Sequence, residues 1–313
     1  LIVILIVSWN VRELLRACLH SLRRYPATAH EQRIVVVDNA SGDGTNEMLR
    51  RDFPDVVVVA NATNRGFTGG NNDGLREIEA LVQSTPVSYV LLLNPDTEVT
   101  PGALDALLAS AEAHPEAGVI GPQLRYPDGS VQSSRRRFPN FWTALFESTW
   151  LQPIAPRRLL DSYYIRDCRD DEVCEVDWVV GAAMLVRWEA YEQVGGLDEH
   201  NFFMYSEELD WCKRIKAAGW KVIYDPRAQI VHHEGKSSEQ VSAQRTIYFN
   251  TSKVRYFAKH HGRAQARLLR AALLAMFAWQ WALEGAKWLL GHRRALRAER
   301  MRAYAQVLRS GLR

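Results

Sequence analysis

Val90-Leu91-Leu92-Leu93-Asn94-Pro95-Asp96-Thr97-Glu98 is the stretch that decides how this chain folds. Four apolar residues in a row, with no polar alternation to put one face in water, describe a strand buried on both sides. Pro95 has no amide hydrogen and ends regular pairing, so the chain turns there. Two carboxylates, Asp96 and Glu98, follow at the exit. In open α/β sheets ligands bind beyond the carboxyl ends of the strands, which aims these acids at a ligand. Oxygen donors on a stiff turn suit a hard divalent cation, Mg²⁺ or Mn²⁺, bridging to a substrate phosphate. The plainer alternative makes both acids ordinary turn and helix-start residues ahead of Pro101.

Outward from this run, strands are expected at residues 1–7, 34–37, 56–60 and 118–123. They alternate with helices at 11–23, 45–51, 70–82 and 103–114. The 11–23 segment shows why: Leu14, Leu15, Cys18, Leu19 and Leu22 fall on one helical face. Such an order implies a mostly parallel central sheet flanked by helices and joined by right-handed crossovers. No strand leads into G-x-G-x-x-G or a Walker loop. Two strand ends carry acids instead, Val37-Asp38 and Asn94-Pro95-Asp96. Between them Asn64-Arg65-Gly66-Phe67-Thr68-Gly69-Gly70-Asn71-Asn72 predicts free amides at a helix start, a place that favours anions, or else a plain glycine-rich turn.

From residue 125 to 177 the pattern weakens. Tyr126-Pro127-Asp128-Gly129-Ser130 marks a turn joining two strands, and Arg135-Arg136-Arg137 reads as a phosphate or lipid contact or as a solvated basic turn. Residues 153–175 look like a long loop, and 176–187 like a strand bent at Gly181 that enters a helix at 188–194. A second cluster follows, Phe202-Phe203-Met204-Tyr205-Ser206-Glu207-Glu208-Leu209-Asp210-Trp211. Ser206 is a natural helix cap and acids suit the first turn. Capping does not account for three acids beside so many aromatics, and an apolar surround raises a carboxylate's pKa and strengthens it as a base. Strands at 221–224 and 228–231 then deliver His232-His233-Glu234-Gly235-Lys236-Ser237-Ser238, a metal ligand followed by a diphosphate clasp, or simple surface histidines.

A chain of 313 residues, 47% hydrophobic and 24% charged, has the composition of a globular protein, and a net charge of +3 is too small to argue for a nucleic-acid partner. The run at 1–7 reads as a buried first strand, not a signal peptide. Cys18, Cys168, Cys174 and Cys212 show no zinc spacing. They read as reduced cytosolic thiols, with a Cys168–Cys174 bridge or metal clip as the alternative. After Gly262 the composition shifts. The uncharged run 271–283 is shorter than the roughly 20 residues that span a bilayer. Its tryptophans, flanked by Arg267, Arg270, Lys287, Arg293 and Arg294, describe a helix lying in the headgroup region, or one packed on protein.

Together these segments resemble the family-2 inverting glycosyltransferases, which have a GT-A fold and use nucleotide-diphosphate sugars. The resemblance covers roughly residues 1–262 and is closest to the rhamnosyltransferase-like branch that builds cell-wall and surface polysaccharides. It implies a GT-A catalytic domain at 1–262, with a nucleotide-sugar half at 1–124 and an acceptor half at 125–262. An amphipathic helical tail at 263–313 follows. It implies that Asp38 meets the nucleotide base beside Ser8 and Asn10, and that Arg65, Gly70 and Asn71 approach the diphosphate. Asp96 and His232 are implied as metal contacts, with Asn94 standing where the family pattern has a first acid. Glu208 is implied as the general base, with Glu207 and Asp210 positioning the acceptor hydroxyl. Trp178 and Gly181 line the sugar pocket, and Lys236 belongs to the diphosphate clasp. The expected function is transfer of a sugar, rhamnose from dTDP-rhamnose, to a lipid-linked or polysaccharide acceptor, with Mg²⁺ or Mn²⁺. The expected place is the cytoplasmic face of the cell membrane, bound peripherally through residues 264–294, with a homodimer left open. The alternatives are a sugar-nucleotide nucleotidyltransferase, which would carry a basic phosphate loop after its first strand, and a non-catalytic nucleotide-sugar-binding module.

Overall fold

Apolar runs too uniform to leave one face in water become interior strands. The computed structural model describes residues 1–233 and 242–313. Its first half runs β1 (Ile2–Ser8), α1 (Arg12–Arg24), β2 (Gln32–Asp38), α2 (Thr45–Asp52), β3 (Val57–Ala60), α3 (Gly66–Val82) and β4 (Tyr89–Leu93). Strands β3, β2, β1 and β4 lie side by side in parallel, with Ser8 level with Asp38 and Ile6 level with Leu93. Every residue of β1 and β4 is buried, as their sequences require. Leu15, Leu19 and Leu22 of α1 pack into the same core as Ile4, Ile6 and Leu91.

The chain continues through β5 (Thr97–Val99), α4 (Ala103–Ala113), β6 (Ala117–Arg125), β7 (Val131–Gln132), β8 (Arg135–Arg136), α5 (Phe141–Phe146) and α6 (Arg157–Tyr163). Next come β9 (Cys174–Val176), β10 (Trp178–Val179), β11 (Ala183–Arg187), α7 (Trp188–Val194), α8 (Glu207–Ala217) and β12 (Lys221–His232). The main path of the sheet is β3-β2-β1-β4-β11-β6-β12-β5. β11 runs antiparallel to both β4 and β6, while β6 and β12 are parallel. Two reversals restore direction, so β6 and β12 point the same way as β1 and β4. Their carboxyl ends and the amino end of β11 therefore share one edge of the sheet.

Several expectations are corrected. The strand bent at Gly181 is two strands in different sheets, since β10 pairs with β8 and β11 with β4. The two strands at 221–231 are one, β12, with an irregularity between Asp225 and Gln229. The loop at 153–175 contains α6, and Cys168 and Cys174 are joined in a disulfide. That corrects the reading of four reduced thiols; Cys18 and Cys212 are free and buried.

Two compact units emerge. The first comprises Leu1–Phe138, Asp161–Phe203 and Glu207–Ser237; the second comprises Pro139–Leu160, Met204–Ser206 and Ser238–Arg313. α9 (Ser242–His260) packs on α10 (Arg263–Leu289) and α11 (Arg294–Ser310), and α5 packs on α10 as well. Inside the second unit Tyr256, Phe257, Leu269, Leu273 and Val307 are buried. The amine of Lys253 donates to the carbonyls of Ala144 and Glu147. Among the described residues no helix is long and apolar enough to cross a membrane.

Candidate active site

The shared strand edge in the first unit gathers most of the residues singled out from the sequence. Ser8 ends β1, Asp38 ends β2, Asn94–Asp96 follow β4, and His232 ends β12. β5 turns back beside β12 and sets His232 level with Thr97. His232 Nε2 lies 3.4 Å from Asp96 Oδ1, and both side chains are buried. Nδ1 of the same ring is 2.8 Å from Gln132 Oε1. A glutamine oxygen only accepts, so Nδ1 donates to it and Nε2 is the ring atom that faces Asp96. An imidazole nitrogen and a carboxylate oxygen so placed are a pair that a proton or a cation can bridge. Asp96 Oδ1 and Asn94 Oδ1 are buried with no hydrogen-bond partner among the described residues.

This donor set, one carboxylate, one imidazole and one neutral amide oxygen, fits Mn²⁺ or Mg²⁺. It is sparse, for among the described residues no three His, Cys, Asp or Glu side chains gather as a ligand set. Beside it His233 Nε2 is 2.7 Å from Glu98 Oε1, and the His233 amide donates to the Asp96 carbonyl. Glu98 is thereby tied to His233.

The second acid cluster meets the same edge through the start of β11. The Asn94 amide donates to the Ala182 carbonyl at 2.9 Å. Gly181, one residue earlier, faces Glu208: a Cβ built on Gly181 would sit 3.4 Å from Glu208 Cβ. Burial pushes the Glu208 carboxyl above the usual glutamate range, while backbone amides of Glu208, Leu209 and Gly181 pull in the opposite direction. Burial and the neighbouring Glu208 charge push Glu207 well above that range. Oε2 of each is buried with no partner among the described residues. Tyr205 and Ser206, just before this helix, have φ of 70° and 65°. Non-glycine residues take that left-handed conformation at a cost, and such strain tends to collect at functional sites.

Other expected residues are engaged within the protein. Asp38 accepts from the Ser41 amide and the Asn46 side chain. The Asn10 amide donates to Ser41 Oγ, while Ser8 Oγ is buried without a partner among the described residues. Arg65 spans Asp73 and Glu199, each at 2.9 Å. Asp210 is fully buried and bonded to Arg214 at 2.9 Å, and Trp178 Nε1 donates to the Arg137 carbonyl. The expectation of free amides at Gly70 and Asn71 is corrected. α3 begins at Gly66, so those amides lie in its second turn, where helix carbonyls take them. Gly70 is small because the helix crosses β1 closely there: a Cβ would meet Val7 at 2.7 Å. Asn71 caps the Phe67 carbonyl. Lys236 lies outside the described residues. Sequence reasoning missed Gln132, which sits on the two-residue strand that follows the turn at 126–130.

Residues 3–177 match the model of glycosyl transferase family 2. A Mycobacterium tuberculosis N-acetylglucosaminyl-diphospho-decaprenol L-rhamnosyltransferase is 31% identical over 283 residues, 88% of each chain. The rhamnosyltransferase WbbL of Escherichia coli is 24% identical, over 83% of this chain and 93% of its own. Among solved structures, a Pyrobaculum calidifontis mannosyltransferase in complex with GDP-Man and Mn²⁺ superposes with a TM-score of 0.56. It is 18% identical and covers 98% of this chain and 84% of its own.

Proposed function

Because the chain belongs to glycosyl transferase family 2 and is a glycosyltransferase of cell-wall or surface polysaccharide synthesis, we propose that it moves rhamnose from dTDP-rhamnose to a hydroxyl of a lipid-linked glycan, inverting the anomeric centre. Glu208 takes the proton from the attacking hydroxyl. Burial suits it to that role, since a base with a raised pKa holds the proton more firmly. Glu207 beside it positions the acceptor, and Gly181 and Trp178 shape the sugar pocket. Asp96 and His232, with Asn94 as a neutral donor, would hold a divalent cation, which would supply positive charge to the leaving diphosphate. Ser8, Asn10 and Asp38 face the nucleotide. The acceptor follows the named substrate of the mycobacterial relative. A lipid-linked acceptor places the enzyme peripherally at a membrane, at the cytoplasmic face where nucleotide sugars are made.

The observation that carries this reading is the short bridge Asn94–Ala182–Gly181–Glu208, which ties the cation-fitting pair to the buried acid pair on one sheet edge. Glu208→Gln removes a general base without changing shape, so transfer falls by about 10²–10⁴-fold while donor binding survives. Near-normal transfer by that variant would reassign the base. Asp96→Ala weakens donor binding in Mn²⁺ or Mg²⁺ buffers; unchanged calorimetric affinity would remove its cation role.

A further inference from the structure

We propose that the second unit is a dock for anionic bilayer surface, formed by α10 together with the 142–154 segment. This rests on the reading above only in that a lipid-linked acceptor needs a lipid surface. The first observation is charge. Of the 39 Lys and Arg in the chain, 17 lie in residues 139–160, 204–206 and 238–313, leaving 22 elsewhere; of the 36 Asp and Glu, only 4 lie there, leaving 32. A near-neutral chain therefore joins a strongly basic helical unit to an acidic catalytic one.

The second observation is an apolar face. Leu268, Trp279, Leu283 and Leu290 are exposed, by 41% to 86%. At 100° per residue Leu268, Trp279 and Leu283 fall within about 60° of one another around α10, and Leu290 follows at its C-cap; Trp281 and Trp288 are exposed on the opposite side. Alanines between them, at 271, 275, 278, 282 and 286, keep that side free of charge. The helix is buried along a different line, through Ala266, Leu269, Leu273 and Glu284. Trp142, Trp150 and Ile154, in and after α5, add exposed apolar bulk at 59%, 45% and 72%.

Exposed arginines complete the pattern. Arg263 and Arg267 are exposed at one end of α10, and Arg293 and Arg294 just beyond the other. Tryptophan rings, aliphatic bulk and arginines at the margins are what a helix lying in the headgroup layer requires. A second copy of the same chain is disfavoured, because it would bring two strongly basic units together.

The test is flotation of the whole chain with vesicles of phosphatidylcholine alone and with vesicles also containing phosphatidylglycerol. Several basic residues acting together give at least about tenfold more binding to the anionic vesicles. Trp279→Glu with Leu290→Glu lowers that binding about tenfold, and Trp142→Ser with Trp150→Ser lowers it in part. Calorimetric binding of dTDP-rhamnose stays unchanged in all of them. Equal binding to both vesicle types, or to neither, overturns the proposal. So does sedimentation showing a dimer that Trp279→Glu with Leu290→Glu takes apart, which would assign the face to a second copy. Loss of donor binding in the parent chain with flotation intact would sink the transferase reading and leave the dock standing.

Discussion

His232 turns one nitrogen towards Asp96 while Gln132 holds the other, so the proposed cation site depends on a residue that need not touch substrate. Partners that fix a ligating imidazole's tautomer commonly contribute a factor of about 10–100 in metal affinity. Gln132→Leu is therefore expected to weaken Mn²⁺ binding by about that factor, read by titration of the free-ion resonance; equal affinity would mean that the ring is held by its own burial. The acid pair makes a different prediction. Glu207 keeps its proton to higher pH in the folded chain than in the unfolded one, because burial and Glu208 both oppose its charge. The folded state binds more protons, so this group's stabilisation is complete below the ordinary glutamate pKa and is lost as pH rises through the raised value. Glu207→Gln should then melt above the parent at alkaline pH, with the gap closing towards acid. A gap that widened in acid would reverse the sign of the argument.

Helix α3 shows where packing overrides local preference. Gly66, Gly69, Gly70 and Gly74 argue against a helix by propensity, and from the sequence its start falls at residue 70. The helix begins at Gly66, and Gly70 and Gly74 let it approach the sheet: a Cβ on Gly74 would lie 2.1 Å from Leu5 Cδ1. Gly74→Val is expected to destabilise the fold by about 1–3 kcal/mol, seen as a lower urea midpoint at unchanged slope. What was legible followed from runs of like residues. β1, β2 and β4, helix α7 and the acids at strand ends all carried local patterns. The short strands β5 and β8 did not, since two or three residues pair only when the rest of the sheet supplies a register. β7 was announced by the turn at 126–130, which joins it to β6, but nothing local marked Gln132 as the residue that meets His232. The Cys168–Cys174 bridge was legible only as an alternative, because six residues of separation permit a bridge without requiring one. Cys168→Ser with Cys174→Ser should cost about 2 kcal/mol by loop-closure entropy, measured against the parent in oxidising buffer. In strong reductant the two should coincide.

At the scale of the whole molecule, segregated charge sets two opposite responses to salt. The acidic excess outside the basic helical unit surrounds a site whose proposed donor is itself anionic, and the sequence-expected Arg65 is already shared between Asp73 and Glu199. Among the described residues, positive charge for the diphosphate then comes largely from a bound cation, and the net acidic charge of the first unit opposes the donor. The basic unit attracts anionic lipid through the same long-range term with the sign reversed. Raising ionic strength from ~0.1 M to ~1 M shortens the screening length from ~10 Å to ~3 Å. Binding to phosphatidylglycerol vesicles should fall steeply across that range. Donor affinity at saturating Mn²⁺ should hold or improve, because the repulsion being screened is long-range while the contacts at Asp96 and His232 are buried and short. If both affinities fell together, the donor would be held mainly by exposed basic side chains, and the cation would lose the place assigned to it here.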